Sequence, residues 1–158
     1  MNQQNDPKIV IGCEEWCAFP SLNIPAIKAR VDSGAKTSSI HAINIERFTK
    51  NDEHWVRFDV HPIQKNRKIT IHCEVPLIDQ RVIKSSSGDK ENRPVIRVPL
   101  SVGDKSWEVE VTLTNRDTMG YRMLLGREAM IGRMLIDPEC FCLQGDRAQE
   151  TLTSLYST

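Results

Sequence analysis

The sequence predicts an all-β fold in which short antiparallel strands close into a barrel or pack as a sandwich. Three observations carry this expectation. Apolar residues recur with a period of two, helical periodicity is weak, and clusters of Gly, Pro, Asn and Ser cut the chain into short runs.

The elements are justified in chain order. Lys8 to Gly12 and Lys28 to Val31 are short strand candidates, with Pro20 and Pro25 marking a loop between them. Val56, Phe58 and Val60 alternate with polar residues, and so do Ile69, Ile71, Cys73, Val75 and Leu77. Ile96, Val98, Leu100 and Val102 form one longer run; Trp107, Val109, Val111 and Leu113 form the next. Gly103 to Ser106 lies between them and reads as a hairpin loop. Ser85 to Arg93 is polar and turn-rich, an exposed loop with Gly88 at its tip. The best helical stretch runs from Arg127 to about Arg133, directly after Gly126, and Gly132 is its expected end. No internal repeat or dividing linker is visible. One domain over 1–158 is expected, with a core over about 8–144 and a polar tail over about 145–158 that is either disordered or a short terminal element.

Composition narrows the function classes. The 158 residues carry 21 Lys and Arg against 21 Asp and Glu. A net charge of zero provides no general attraction to nucleic acid or to an anionic membrane. The first residues are polar, and no apolar stretch approaches the roughly 18 residues that span a bilayer. Five cysteines, an odd number, do not form a secreted disulfide framework, so a cytoplasmic location is expected.

The informative segment is Ala29 to Ser39. A strand delivers Asp32, and Ser33 and Gly34 follow at once. Glycine lets the backbone turn sharply, and the hydroxyl can brace the turn. Peptide hydrolysis without a metal or a nucleophile requires an activated water and an acid. Two carboxylates a few Å apart supply both by sharing a proton. This chain has one Asp-Ser-Gly, so a second copy related by a twofold axis would have to supply the other Asp. Asp-Ser-Gly alone is also an ordinary turn. Met123-Leu124-Leu125-Gly126-Arg127, an apolar strand ending in Gly-Arg, makes the pattern more specific.

At these segments the chain resembles the retropepsins. More closely, it is similar to the bacterial DUF785-type family named for ATP-dependent zinc proteases and described as retropepsin-like aspartic peptidases. Ile24 to Ser38, Trp55 to Phe58, Val95 to Arg97, and Thr112 onward through Gly126-Arg127 to Asp137-Pro138 carry the likeness. The resemblance implies a closed acid-protease β-barrel with one short helix after Gly126. It implies Asp32 as the catalytic aspartate, Ser33 as the hydroxyl bracing the loop across a homodimer, and Gly34 and Ala35 as the rest of the loop. Gly126 and Arg127 support it from below. Some members are associated with ATP-grasp enzymes that add glutamates to a ribosomal protein, which implies such a ligase system as a partner.

Departures from the viral pattern are visible. Lys36 stands where those enzymes carry an acid, leaving Glu128 as its candidate partner. Gly126 follows Asp32 by 126 − 32 = 94 residues, a longer gap that places extra chain between Asn44 and Arg93. A flap over the cleft is expected from that region, with Ser85 to Arg93 as the candidate and a surface hairpin without a role as the alternative. Arg30 and Arg116 are candidate substrate contacts, since guanidinium groups bind carboxylates in a bidentate manner, and Gly88 is a third as the tip of the candidate flap. Asn115-Arg116-Asp117 reads first as a structural turn whose Arg pairs with a nearby carboxylate, with binding of an acidic substrate as the alternative. Asp137, followed by Pro138, reads as a turn cap.

The family name raises zinc and ATP, but the residues supply neither a paired zinc spacing nor a phosphate-binding loop. No cofactor is expected, and Cys73 and Cys142 read as core thiols. His41, His54 and His61 read as solvated. The leading expectation is a homodimeric aspartic endopeptidase acting on a peptide or protein. A catalytically silent binding module and a zinc metallopeptidase remain as alternatives.

Overall fold

The computed structural model describes residues 7–64, 66–84, 87–115, 120–147 and 149–156. Its strands are β1 (Ile9–Ile11), β2 (Glu14–Phe19), β3 (Ile24–Val31), β4 (Ser38–His41), β5 (Ile43–Lys50) and β6 (Glu53–Val60). They continue as β7 (Ile71–Pro76), β8 (Asp79–Lys84), β9 (Lys90–Val102), β10 (Lys105–Thr114), β11 (Met123–Leu125) and β12 (Met134–Ile136). The helices are α1 (Arg127–Met130) and α2 (Gln149–Leu155).

Seven strands lie in the order β10-β4-β11-β3-β2-β9-β8, and β9 also pairs with β10, so six of them return on themselves. The alternating runs build this ring. Ile27, Ile40, Ile96, Leu100, Leu113 and Leu125 are fully buried inside it. Each such side chain contributes about 1.5–3 kcal/mol of transfer free energy. Closure is narrow: β2 meets β9 at a single pair, Ala18 with Ser101. The expected closed barrel is therefore realised with one loose seam. The chain between Asn44 and Pro76 forms a separate sheet, β5-β6-β7, whose Val56, Phe58, Val60 and Cys73 pack on the same core. β1 pairs in parallel with β12.

Several boundaries differ from expectation. Lys105 pairs with Val102, so the β9–β10 loop is two residues, Gly103-Asp104, with Gly103 at φ +61. That is the tight hairpin whose twist suits paired strands. α1 is one turn long and stops at Met130. Residues 90–93 belong to β9, paired with β8, so the predicted loop shrinks to a hairpin tip. The tail is not simply polar. Leu152 of α2 and Tyr156, directly after it, pack with Ala26 and Ile63. The Tyr156 hydroxyl donates to the Ala26 carbonyl. Among the described residues, no helix is long and apolar enough to cross a membrane.

Candidate active site

β11 lies between the two strands that flank the Asp loop. It runs parallel to β3, Leu125 opposite Val31, and antiparallel to β4, Leu124 opposite Ser39. The Asp32 N–H donates to the Leu125 carbonyl at 2.9 Å, which continues the β3–β11 ladder into the loop. The chain then turns at once. The Ala35 N–H donates to the Asp32 carbonyl at 3.2 Å, and the Gly34 N–H donates to Asp32 Oδ1 at 2.9 Å. The carboxylate is half-buried and held by its own loop.

α1 begins directly under this turn. Its first backbone donors would otherwise lack partners. Arg127 N–H donates to the Ala35 carbonyl at 2.7 Å, and Glu128 N–H to the Lys36 carbonyl at 3.0 Å. Arg127 Nη1 reaches the Ser33 carbonyl at 3.1 Å. Gly126 N–H donates to Ser38 Oγ at 2.9 Å. A Cβ on Gly126 would stand 2.6 Å from the Thr37 carbonyl carbon, so the close crossing requires glycine here. Lys36 does meet Glu128, at 3.7 Å, but both side chains are largely exposed, and such a pair contributes at most about 1 kcal/mol.

Asp32, Ser33, Gly34, Ala35, Gly126 and Arg127 are thus brought together. Arg30 is beside them on β3, paired with Leu124. Gly88 is at the β8–β9 hairpin tip, with φ +91 and, among the described residues, no atom within 4 Å of where a Cβ would stand. Arg116 lies outside the described residues, as does part of the proposed flap, Ser85 and Ser86. Asp137 does cap a turn, accepting from Glu139 N–H at 3.1 Å.

Cys17 and Cys73 are buried, and burial pushes the Cys73 thiol up to about 12. Cys142 is not a core strand residue. It sits in a turn at φ +52 because the chain leaves β12 and folds back along β2 there. Among the described residues, no group of three or more His, Cys, Asp or Glu side chains could hold a metal ion. His54 is exposed, whereas His41 and His61 are half-buried. His61 Nδ1 lies 3.2 Å from Thr70 Oγ1.

Sequence reasoning missed three supports. Ser38, preceded by Thr37 and followed by Ser39, is buried and receives the Gly126 donor, while Thr112 Oγ1 donates to the Ser38 carbonyl at 3.3 Å. A hydroxyl run entering a strand was the available signal. Glu15 is fully buried, and its carboxylate accepts from the N–H groups of Gly12 at 2.7 Å, Leu143 at 2.8 Å and Gln144 at 3.0 Å. Glu14, opposite Arg30, accepts from the Tyr121 hydroxyl and pairs with Lys28 at 3.2 Å. Burial would raise the Glu14 carboxyl, but the Tyr121 and Lys28 contacts outweigh it and hold it below the usual carboxylate range.

A strand-borne Asp-Ser-Gly loop, supported by a downstream Gly-Arg helix start, places the chain in the retropepsin-like class. Residues 10–145 match the family described as retropepsin-like aspartic endopeptidase RimB, and the chain belongs to that family. Among solved structures, it is similar to a DUF785 protein of unknown function from Legionella pneumophila, with a TM-score of 0.71 and 28% identity over 88% of this chain and 100% of that one. Among curated proteins, it is 56% identical over 154 residues to a "Probable alpha-L-glutamate ligase" of Desulfotalea psychrophila, and 58% identical over 153 residues to one of Shewanella pealeana. These matches take in 98% and 96% of this chain but 33% of each relative, so the chain spans about a third of the length of the curated relatives it matches.

Proposed function

We propose that the chain is an aspartic endopeptidase that hydrolyses peptide bonds between two copies of Asp32 in a homodimer. The observation that carries this reading is the Asp32 carboxylate, fixed by Gly34 N–H on a loop that α1 supports from below. One chain presents one such loop. A mate across a twofold axis would complete the pair, and two close carboxylates share one proton. The ionised member takes a proton from water, and the protonated member donates to the carbonyl oxygen of the scissile bond. This chemistry draws on neither a metal nor a nucleotide.

The ligase name of the curated relatives supports a glutamate-rich peptide as substrate and a glutamate-ligase system as partner. The same names favour a second reading, a catalytically silent module that docks to such a ligase. Asp32→Asn separates the two. Under the first reading, cleavage of a glutamate-rich peptide by the pure protein falls to background in the variant. Cleavage that persists unchanged overturns the aspartic mechanism. Sedimentation that finds only monomer at assay concentration removes the second carboxylate and overturns it equally.

A further inference from the structure

We infer that Cys13 and Cys140 form a reversible dithiol site, oxidised to an intramolecular disulfide by a low-molecular-weight disulfide, which staples the β1–β2 junction to the chain beyond β12. The inference stands apart from the peptidase reading, because neither cysteine belongs to the Asp32 loop.

The placement follows from how two distant stretches run against each other. Asp137 N–H donates to the Ile11 carbonyl at 2.8 Å, Cys13 N–H to the Cys140 carbonyl at 2.8 Å, and Cys142 N–H to the Glu14 carbonyl at 2.9 Å. Glu15 fixes the same two stretches, accepting from Gly12 on one and from Leu143 and Gln144 on the other. The approach is so close that a Cβ on Gly12 would stand 2.3 Å from the Cys140 carbonyl oxygen. The hydrogen bond between the two cysteines sets a ceiling on their separation. The N–Cα bond, the 2.8 Å contact and the reach from carbonyl oxygen to Cα together hold the two Cα atoms within about 6.7 Å. Disulfides span roughly 4.4–6.8 Å between Cα atoms, so the backbone already stands where a bridge can form.

Both thiols are within reach of solvent. Cys13 and Cys140 are free and half-buried, whereas Cys17 and Cys73 are free and buried. Cys140 Sγ donates to Asp137 Oδ2 at 3.5 Å, a weak contact that rotation about χ1 releases. Desolvation, that hydrogen bond and the neighbouring charges of Asp137 and Cys13 hold the Cys140 thiol above its usual range, so the two sulfur groups sense each other. Cys142 Sγ is engaged elsewhere, 3.7 Å from Glu14 Oε2.

The chemistry is thiol–disulfide exchange. One cysteine thiolate attacks a sulfur of glutathione disulfide; that S–S bond breaks, a mixed disulfide forms and one glutathione thiolate leaves. The second cysteine thiolate then attacks the protein sulfur of the mixed disulfide. The Cys13–Cys140 bond forms and the second glutathione thiolate leaves. The protein gives up two electrons and two protons, and glutathione disulfide takes them as two thiols. The bridge closes a loop over most of the chain, which removes freedom from the unfolded state. It also bears on the site from a distance. The Cys13 carbonyl accepts from Val31 N–H at 3.0 Å, one residue before Asp32, so the staple fastens the strand that delivers the carboxylate.

The test incubates the full chain with glutathione disulfide, blocks the remaining thiols by alkylation, and maps the products by peptide mass spectrometry. Two of the five thiols should disappear, and the linked peptide should join Cys13 to Cys140. Tm should rise by about 5–10 °C, as expected for a long closed loop in a chain of this size, and dithiothreitol should reverse both changes. Cys13→Ser and Cys140→Ser should each abolish the link and the rise, and Cys142→Ser should leave both intact. If a serine variant is itself destabilised, the mapping on the unaltered chain still decides. Retention of all five thiols, a glutathione adduct with no internal link, a link made through Cys142, or a Tm that does not rise overturns the inference. None of these readouts involves cleavage, so its failure is distinct from failure of the aspartic mechanism.

Discussion

At Gly126, two backbones meet with no room for a methyl group. The added Cβ would stand 2.6 Å from the Thr37 carbonyl carbon and 2.8 Å from the Ser38 nitrogen, and neither is a side chain that can swing away. Gly126→Ala should cost about 1–3 kcal/mol in denaturant unfolding, the usual range for overpacking, and should weaken activity by displacing the Asp loop. The pair Glu14 and Tyr121 gives a residue-scale prediction on pH. Glu14 raises the Tyr121 hydroxyl from its ordinary 10.0 to about 12. A proton held more tightly in the folded state stabilises it fully below pH 10 and progressively less as pH rises toward 12. Tyr121→Phe should therefore be less stable at pH 8 and show a shallower decline between pH 10 and 12. Tyr156, raised to about 12 by burial, keeps part of that decline. A decline as steep as that of the unmodified chain would remove Tyr121 from the account.

Among the elements, α2 shows what a polar segment can conceal. Its sequence, Gln149 to Leu155, is mostly Ser, Thr, Glu and Gln, yet Leu152 is buried against Ala26 and Ile63. Leu152→Ala should cost about 2–3 kcal/mol, and more if the whole helix lifts, as measured by chemical denaturation. A change under about 0.5 kcal/mol would mean that α2 stabilises nothing. The same comparison explains what was legible in the sequence. β9, β10 and β6 announced themselves because one face of each meets the core and the other does not. β4, β5, β8 and β12 did not, since hydroxyl or charged residues dominate them or they run to only three residues. In the site, Asp32-Ser33-Gly34 and Gly126-Arg127 were legible because each is a short contiguous run that can be recognised without knowing what it packs against. Ser38 and Glu15 were not: their partners are 88 and about 128 residues away, and no local pattern records them.

For the whole molecule, the ring is completed by distant segments. β3 and β11 meet across nearly a hundred residues, β1 meets β12 across a longer gap, and the seam between β2 and β9 holds one pair. A fold dominated by such pairings is expected to form slowly relative to helical domains of its size. Glu15 sharpens the point. Its three donors come from Gly12, close in sequence, and from Leu143 and Gln144, near the far end. During synthesis, the carboxylate emerges long before two of those donors exist, a wait of about 6–25 s at ribosomal speeds. Through that interval it stays hydrated, because burying a charge without its donors is costly. The closed arrangement around Glu15 therefore requires residues that follow the last strand, so the start of β2 and the segment after β12 depend on each other.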